Sequence, residues 1–168
     1  MKKVIMSFAL FGVMACQQNK IGFVDNVKLM KEYQEQIDIQ AKFKTKADAL
    51  TKQRDSISQA FQAEAQAFQA KASSMSQKEA QEQYGQFQQR GQRIGQQLQQ
   101  QEQELQMGSQ VEMDSLISKV KKEIASYGIA NGYTYILGGG EGGSVLYGDS
   151  AKDLTAEILK LLNDKYKK

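Results

Sequence analysis

Apolar and small residues along the middle of this chain recur at helical spacing. On a first stretch they fall at Phe43, Ala47, Leu50, Ile57, Phe61, Ala65, Phe68, Ala72 and Met75, with gaps mostly of three, four or seven. On a second they fall at Tyr84, Phe87, Gly91, Ile94, Leu98, Gln101 and Leu105, with gaps alternating three and four. That is the period of a coiled-coil seam. Leu116, Ile117, Val120 and Ile124 carry the apolar face further. Between the two stretches, Ala72-Ser73-Ser74-Met75-Ser76-Gln77 interrupts the pattern, and Ser76 with Glu79 reads as a capping box that starts a new helix. The pattern therefore predicts an antiparallel helical hairpin over residues 43–116, turning near 73–77. Arms of ~35 residues would each be about 50 Å long.

The flanking segments read differently. In KIGFVDNVKLM, residues 20–30, Ile21, Phe23 and Asp25 alternate with Gly22 and Val24, which predicts a strand, with Asp25 or Asn26 capping the helix that follows. Past Tyr127, Gly128 suits a helix end and Asn131-Gly132 suits a turn. Tyr133 to Leu137 and Ser144 to Tyr147 then read as two strands of a hairpin around the loop Gly138 to Gly143. A Ser150/Asp153 cap opens a last helix, from about Ala151 to Tyr166, that buries Leu154, Ile158, Leu161 and Leu162. The fold class is α+β and mostly α. Residues 20–42 and 117–168 form a small β-sheet body from which the hairpin projects.

The amino terminus has a chemistry of its own. Lys2 and Lys3 precede an apolar run from Val4 to Ala15. That run is shorter than the ~20 residues a membrane-spanning helix needs, and it reads as a secretory signal over residues 1–15. It ends in V-M-A-C, and the single cysteine of the chain is Cys16. The segment resembles the bacterial lipobox. The resemblance implies cleavage before Cys16, acylation of Cys16 and a short tether over residues 16–19.

Composition narrows the function further. There are no histidines and no prolines among the 168 residues. The absence of proline fits long unbroken helices, since an interior proline costs ~3 kcal/mol. Once Lys2 and Lys3 leave with the signal, 22 basic residues become 20 against 19 acidic ones. Such a balance offers no case for nucleic acid. With Cys16 acylated, neither a disulfide nor a thiolate metal site is available, and no acidic loop has calcium-site spacing. The loop GGGEGG lacks a following Lys-Ser or Lys-Thr and leads into a strand, so it reads as a connection rather than a phosphate cradle. Gly91-x-x-x-Gly95 matches a membrane dimer motif by spacing only, because its neighbours are Gln and Arg. No nucleophile stands with a base, and no pair of carboxylates sits on a rigid site. The chain does not read as an enzyme, and no cofactor is expected.

Strand, long hairpin, strand pair and helix form an order with a known counterpart. The opening K-I-G-F-V-D and the closing GYTYILGGGEGGSVLYGDSAKDLTAEILKLLN resemble the Skp family, also called OmpH, of trimeric periplasmic chaperones. The resemblance covers nearly all of the mature chain. It implies a homotrimer whose strands close a small β-barrel while three hairpins stand as tentacles around a cavity. It further implies an ATP-independent holdase that keeps unfolded outer-membrane β-barrel proteins from aggregating. On that basis Phe43, Phe61, Phe68, Met75, Tyr84, Phe87 and Ile94 are candidate client-binding residues, shared with the hairpin seam. Ile21, Phe23, Tyr133, Tyr135, Leu137, Val145 and Tyr147 are candidates for the oligomerisation body. Members of the family are commonly basic, whereas this mature chain is nearly neutral and rich in Gln, which argues against electrostatic client capture. Gln17, rather than an aspartate, after the cysteine points to an outer-membrane anchor facing the periplasm. The alternative from another class is a structural or adaptor coiled-coil lipoprotein without clients.

Overall fold

The computed structural model describes residues 19–167. The expected signal segment and Cys16 lie outside them. Strand β1 (Ile21–Asp25) leads into helix α1 (Asn26–Glu32), then α2 (Gln34–Ala72), α3 (Gln77–Ala130), strand β2 (Tyr135–Gly139), a 3-10 turn (Ser150–Lys152) and α4 (Thr155–Tyr166).

Two helices dominate. At 1.5 Å per residue, the 39 residues of α2 extend ~58 Å and the 54 of α3 ~81 Å. The reversal between them occupies 73–76. Ser76 is extended, at φ −66° and ψ 150°, and its Oγ accepts from the Glu79 amide at 3.3 Å. The far end of α3 closes by a Schellman arrangement. Tyr133 N donates to Gly128 O at 2.9 Å, and Gly132 N donates to Ile129 O at 3.3 Å. Gly132 supplies the positive φ, +69°, that such an ending requires. The expected end at Gly128 is thus corrected: Gly128 lies buried inside α3, where a Cβ would come within 3.2 Å of Ile136.

One break was not expected. The chain leaves helical geometry at Tyr33, at φ −73° and ψ 120°. Tyr33 is fully buried in the body, and its hydroxyl donates to Glu35. A core position for this ring is incompatible with a straight helix running from α1 into α2. The first free amide of α2, Gln34 N, is satisfied from another element, by Asn163 Oδ1 at 3.0 Å.

The sheet differs from the expected hairpin. β1 and β2 pair in parallel, with Ile21 opposite Tyr135 and Asp25 opposite Gly139. Parallel neighbours need a long crossover, and the helical hairpin is that crossover. The outer edge of β1 is covered: Leu154 N donates to Phe23 O at 2.8 Å, and Asp25 N to Thr155 Oγ1 at 2.9 Å. Ser144 to Tyr147 form no strand in the single chain. They return beside β2 with a bond from Val145 N to Gly138 O at 3.2 Å.

Behind the sheet, Val24, Leu29, Tyr33, Leu116, Val120, Leu154, Ile158 and Leu162 form one buried cluster, drawn from β1, α1, the break at Tyr33, the later part of α3 and α4 with the residue before it, and Ile136 of β2 packs against it. Leu161 is only half-buried. The last helix begins at Thr155, later than expected. Asp149 rather than Ser150 caps the 3-10 turn, accepting from Ala151 N at 2.9 Å, and Asp153 accepts from Thr155 N at 2.8 Å. The end of α4 ties down the root of both arms. Tyr166 donates to Asp38 Oδ2 at 2.8 Å on α2, and Lys165 pairs with Glu123 on α3.

Candidate functional site

The two arms meet along the predicted seam. Every seam position from Phe43 to Met75 is half-buried, as are Phe87, Gly91, Ile94, Leu98, Gln101 and Leu105, whereas Tyr84 is 52% exposed. Aromatic rings on α2 lie over glycines on α3. A Cβ at Gly91 would approach the Phe61 ring to 3.1 Å, and one at Gly108 would approach the Phe43 ring to 3.5 Å. Phe61 also stacks on Phe87, with centroids 4.2 Å apart, and Phe68 stacks on Tyr84 at 6.4 Å. Small residues thus let rings from the facing arm fill the space. Gly85 and Gly95 differ, since a Cβ at either would meet nothing within 4 Å.

Four ion pairs cross between the arms, all consistent with one register: Glu35–Lys119 at 2.6 Å, Lys42–Glu112 at 2.5 Å, Arg54–Glu102 at 2.5 Å and Glu64–Arg90. Their exposed setting limits each to ~0.2–1 kcal/mol. Arg90 also lies over the Phe61 ring at 5.3 Å and the Phe87 ring at 5.8 Å.

The seven candidate client-binding residues therefore do not form one patch. Phe61, Phe87 and Ile94 line a notch of about 450 Å³ midway along the hairpin. Phe68, Met75 and Phe87 line a groove of about 560 Å³ nearer its tip, with Lys71, Arg90 and Arg93 around it. Phe43 belongs to a separate surface near the body, between Lys42 and Lys46 at 5.3 and 5.1 Å.

At the body, the candidate assembly residues divide by exposure. Phe23, Tyr133 and Val145 are half-buried. Phe23 packs over Gly139, and Tyr133 stacks on Tyr127 at 6.0 Å beneath Lys20 at 4.1 Å. Ile21, Tyr135, Leu137 and Tyr147 are exposed, Tyr135 at 59% and Tyr147 at 91%. Two neighbours missed by sequence reasoning are more exposed still or nearly so: Leu146 fully and Ile129 at 84%. Leu146 stands in the same S-V-L-Y run, between the candidates Val145 and Tyr147. Ile129 follows the glycine that was read as the helix end.

Three tyrosine hydroxyls are held on carboxylates around the arm roots. The hydrogen bond to Glu157 pushes Tyr127 up to about 12, with burial adding to it. Burial, then Glu35, raises Tyr33, and the bond to Asp38 raises Tyr166. Among the described residues no three His, Cys, Asp or Glu side chains gather to hold a metal, and no helix is long and apolar enough to cross a membrane.

A parallel strand pair closed by a carboxy-terminal helix and carrying a two-helix arm defines a body-and-tentacle protein. Residues 20–162 match the sequence pattern of the family described as Outer membrane protein (OmpH-like), and the chain belongs to that family. Its fold is similar to a crystal structure from Caulobacter crescentus, described as that of an outer membrane chaperone candidate (OmpH-like). The TM-score is 0.78 at 16% identity, over 98% of this chain and 90% of that one. No curated protein matches the sequence.

Proposed function

We propose that this chain is an ATP-independent holdase of the periplasm, which binds unfolded outer-membrane β-barrel proteins between helical arms. In this reading residues 1–15 are a signal, Cys16 carries the lipid that tethers the protein to the outer membrane, and residues 16–19 are the tether. Residues 20–42 and 117–168 form the body, and residues 43–116 form the arm. Three bodies assemble into one barrel.

The observation that carries the reading is the apolar surface left uncovered on the body. Ile129, Tyr135, Leu137, Leu146 and Tyr147 are all exposed and lie outside the buried core of eight residues. Among the described residues, the flank of β2 away from β1 is met by the bond from Val145 N to Gly138 O, made by a segment that forms no strand of its own. Such a flank invites pairing with another chain. Closure with two further copies covers both the flank and the apolar side chains, and it leaves the arms free. Family membership supports the chaperone assignment.

The test uses the mature protein purified without its acyl group. A urea-unfolded outer-membrane β-barrel protein is diluted into it and light scattering is followed. Suppressed scattering at a stoichiometric excess of trimer is expected; unchanged scattering sinks the holdase reading and leaves a structural lipoprotein. Sedimentation at micromolar concentration should give three times the chain mass, and a monomer contradicts the assembly. Labelled palmitate should enter the wild type and not Cys16→Ser.

A further inference from the structure

The start of the described chain is held at one end of the longest helix. Strand β1 begins at Ile21, opposite Tyr135. Just before it, Lys20 lies against the turn that closes α3. Thr134 N donates to Lys20 O at 2.8 Å, Lys20 Nζ donates to Asn131 O at 3.0 Å, and that cation sits over the Tyr133 ring at 4.1 Å. The opposite end of α3, at Gln77, is the tip of the hairpin. Between them α3 runs 54 residues without a break, or ~81 Å. The amino-terminal side of the body and the tip of the arm are therefore at opposite ends of the molecule.

That polarity matters for a chain anchored at Cys16. Cys16 lies four residues before Lys20. Fully extended chain covers at most ~3.3–3.6 Å per residue, so the tether reaches no more than about 14 Å. The turn after α3 must stay that close to the headgroups. The polar groups of Asn19, Lys20, Asn131 and Thr134 suit a headgroup layer, whereas burial in hydrocarbon would strip them of water.

A single tether would still let the arm lie flat. Charge offers little reason for it to do so, since residues 64–93 at the tip carry four basic and three acidic side chains. One net charge attracts an anionic surface weakly beside the hold of several acyl chains. In a threefold assembly three tethers leave from the same end. All three reach the bilayer together only when the assembly axis stands near the membrane normal.

We infer that the end of the body at Lys20 and Asn131 rests on the headgroups of the membrane that holds the lipid, and that the arms point away from it. The space between the arm tips then opens toward the periplasm and not toward that membrane. This rests on the lipoprotein and trimer readings above, and it specifies how the assembly stands on its bilayer.

The experiment uses the whole lipidated chain in vesicles of phosphatidylethanolamine and phosphatidylglycerol that carry an acceptor dye on a headgroup. Donor dyes are placed on Ala130→Cys, at the body end of α3, and on Ser73→Cys, at the tip. Both positions are exposed, and Cys16, blocked by its lipid, takes no dye. Unchanged unfolding temperatures show that both variants fold like the wild type. The label at position 130 should lose most of its emission to the acceptor, and the label at position 73 little or none. The contrast should persist from about 0.05 M to about 0.5 M salt, because reach and not charge sets it. Strong transfer from both labels overturns the inference by laying the arm along the bilayer. Stronger transfer from the tip reverses the orientation and also overturns it, and so does weak transfer from both. All three results leave the lipid reading intact, since the protein is still on the vesicles. If the wild type carries no acyl group by mass and does not float with vesicles, the lipid reading falls and the orientation with it.

Discussion

The ring of Phe61 on α2 lies against the backbone of Gly91 on α3, close enough that a Cβ at position 91 would sit 3.1 Å from a ring carbon. Phe61 is also stacked on Phe87, so it has little room to retreat. Gly91→Val should therefore destabilise the hairpin by about 1–3 kcal/mol, the usual range for overpacking. Gly95→Ala, four residues on, should stabilise it by about 0.8–1.0 kcal/mol, because there only helix propensity changes. Thermal and urea unfolding of the two variants side by side check the contrast. Equal effects at both sites would mean that the rings do not pack on Gly91 in solution.

The body should depend on Ile158, which is fully buried at the centre of the eight-residue cluster. Ile158→Ala is expected to cost ~2–5 kcal/mol. Far-UV circular dichroism on heating should show it. A loss below 1 kcal/mol would indicate that the cluster is not the folding core.

Ser76 begins α3 with a bond of 3.3 Å to the Glu79 amide. Replacing a capping serine by alanine costs ~0.5–2 kcal/mol, and the length of this bond puts Ser76→Ala at the lower end. Hydrogen exchange should locate the loss at the tip, in the first turn of α3, with the body unaffected. Faster exchange spread evenly over the chain would contradict a local cap.

Alkaline pH should loosen the arm roots. Tyr127 titrates at about 12 in the folded chain against an ordinary 10.0, because its hydroxyl donates to Glu157. A raised folded value means that the protonated hydroxyl stabilises the fold fully below pH 10. That contribution is lost as pH climbs from 10 through about 12. Tyr33 and Tyr166 are shifted in the same direction. The unfolding temperature should hold steady from neutral pH to about 9 and then fall, and Tyr127→Phe should flatten part of that fall. Ultraviolet titration that finds all seven tyrosines ionising together near 10 would rule this out.

The arm register should owe little to its ion pairs. A double-mutant cycle on Glu64 and Arg90, both about half exposed, is expected to give ~0.2–1 kcal/mol of coupling at low salt and less at high salt. A coupling of several kcal/mol would mean that the pair is shielded from water by something beyond the single chain.

The hairpin was legible because its signals are local. Helical periodicity, the serine-rich reversal and the absence of proline depend on residues three to seven apart, and Phe43 to Met75 fall on the seam they predict. Asp25 caps α1 for the same reason: its side chain and the Lys28 amide are three residues apart, bonded at 2.9 Å. The candidate site was legible only as a set of residue types. Periodicity puts Phe61, Gly91 and Gly95 on facing surfaces, but it cannot say that a ring covers one glycine and leaves the other open. That depends on how two helices slide past each other, which is set by contacts between residues far apart in sequence.

The sheet shows the limit most plainly. Sequence alone determined that Ile21–Asp25 and the segment after Gly132 are extended. A strand pattern looks the same whether its partner is adjacent or over a hundred residues away, so it allowed Tyr133–Leu137 to pair with Ser144–Tyr147. Tertiary structure decided otherwise. Folding the hairpin back on itself returns α3 to the body, lays β2 beside β1 with Ile21 opposite Tyr135, and brings Thr155 under Asp25. It also bends the chain at Tyr33, because a buried ring in the body gains more than one more turn of straight helix would.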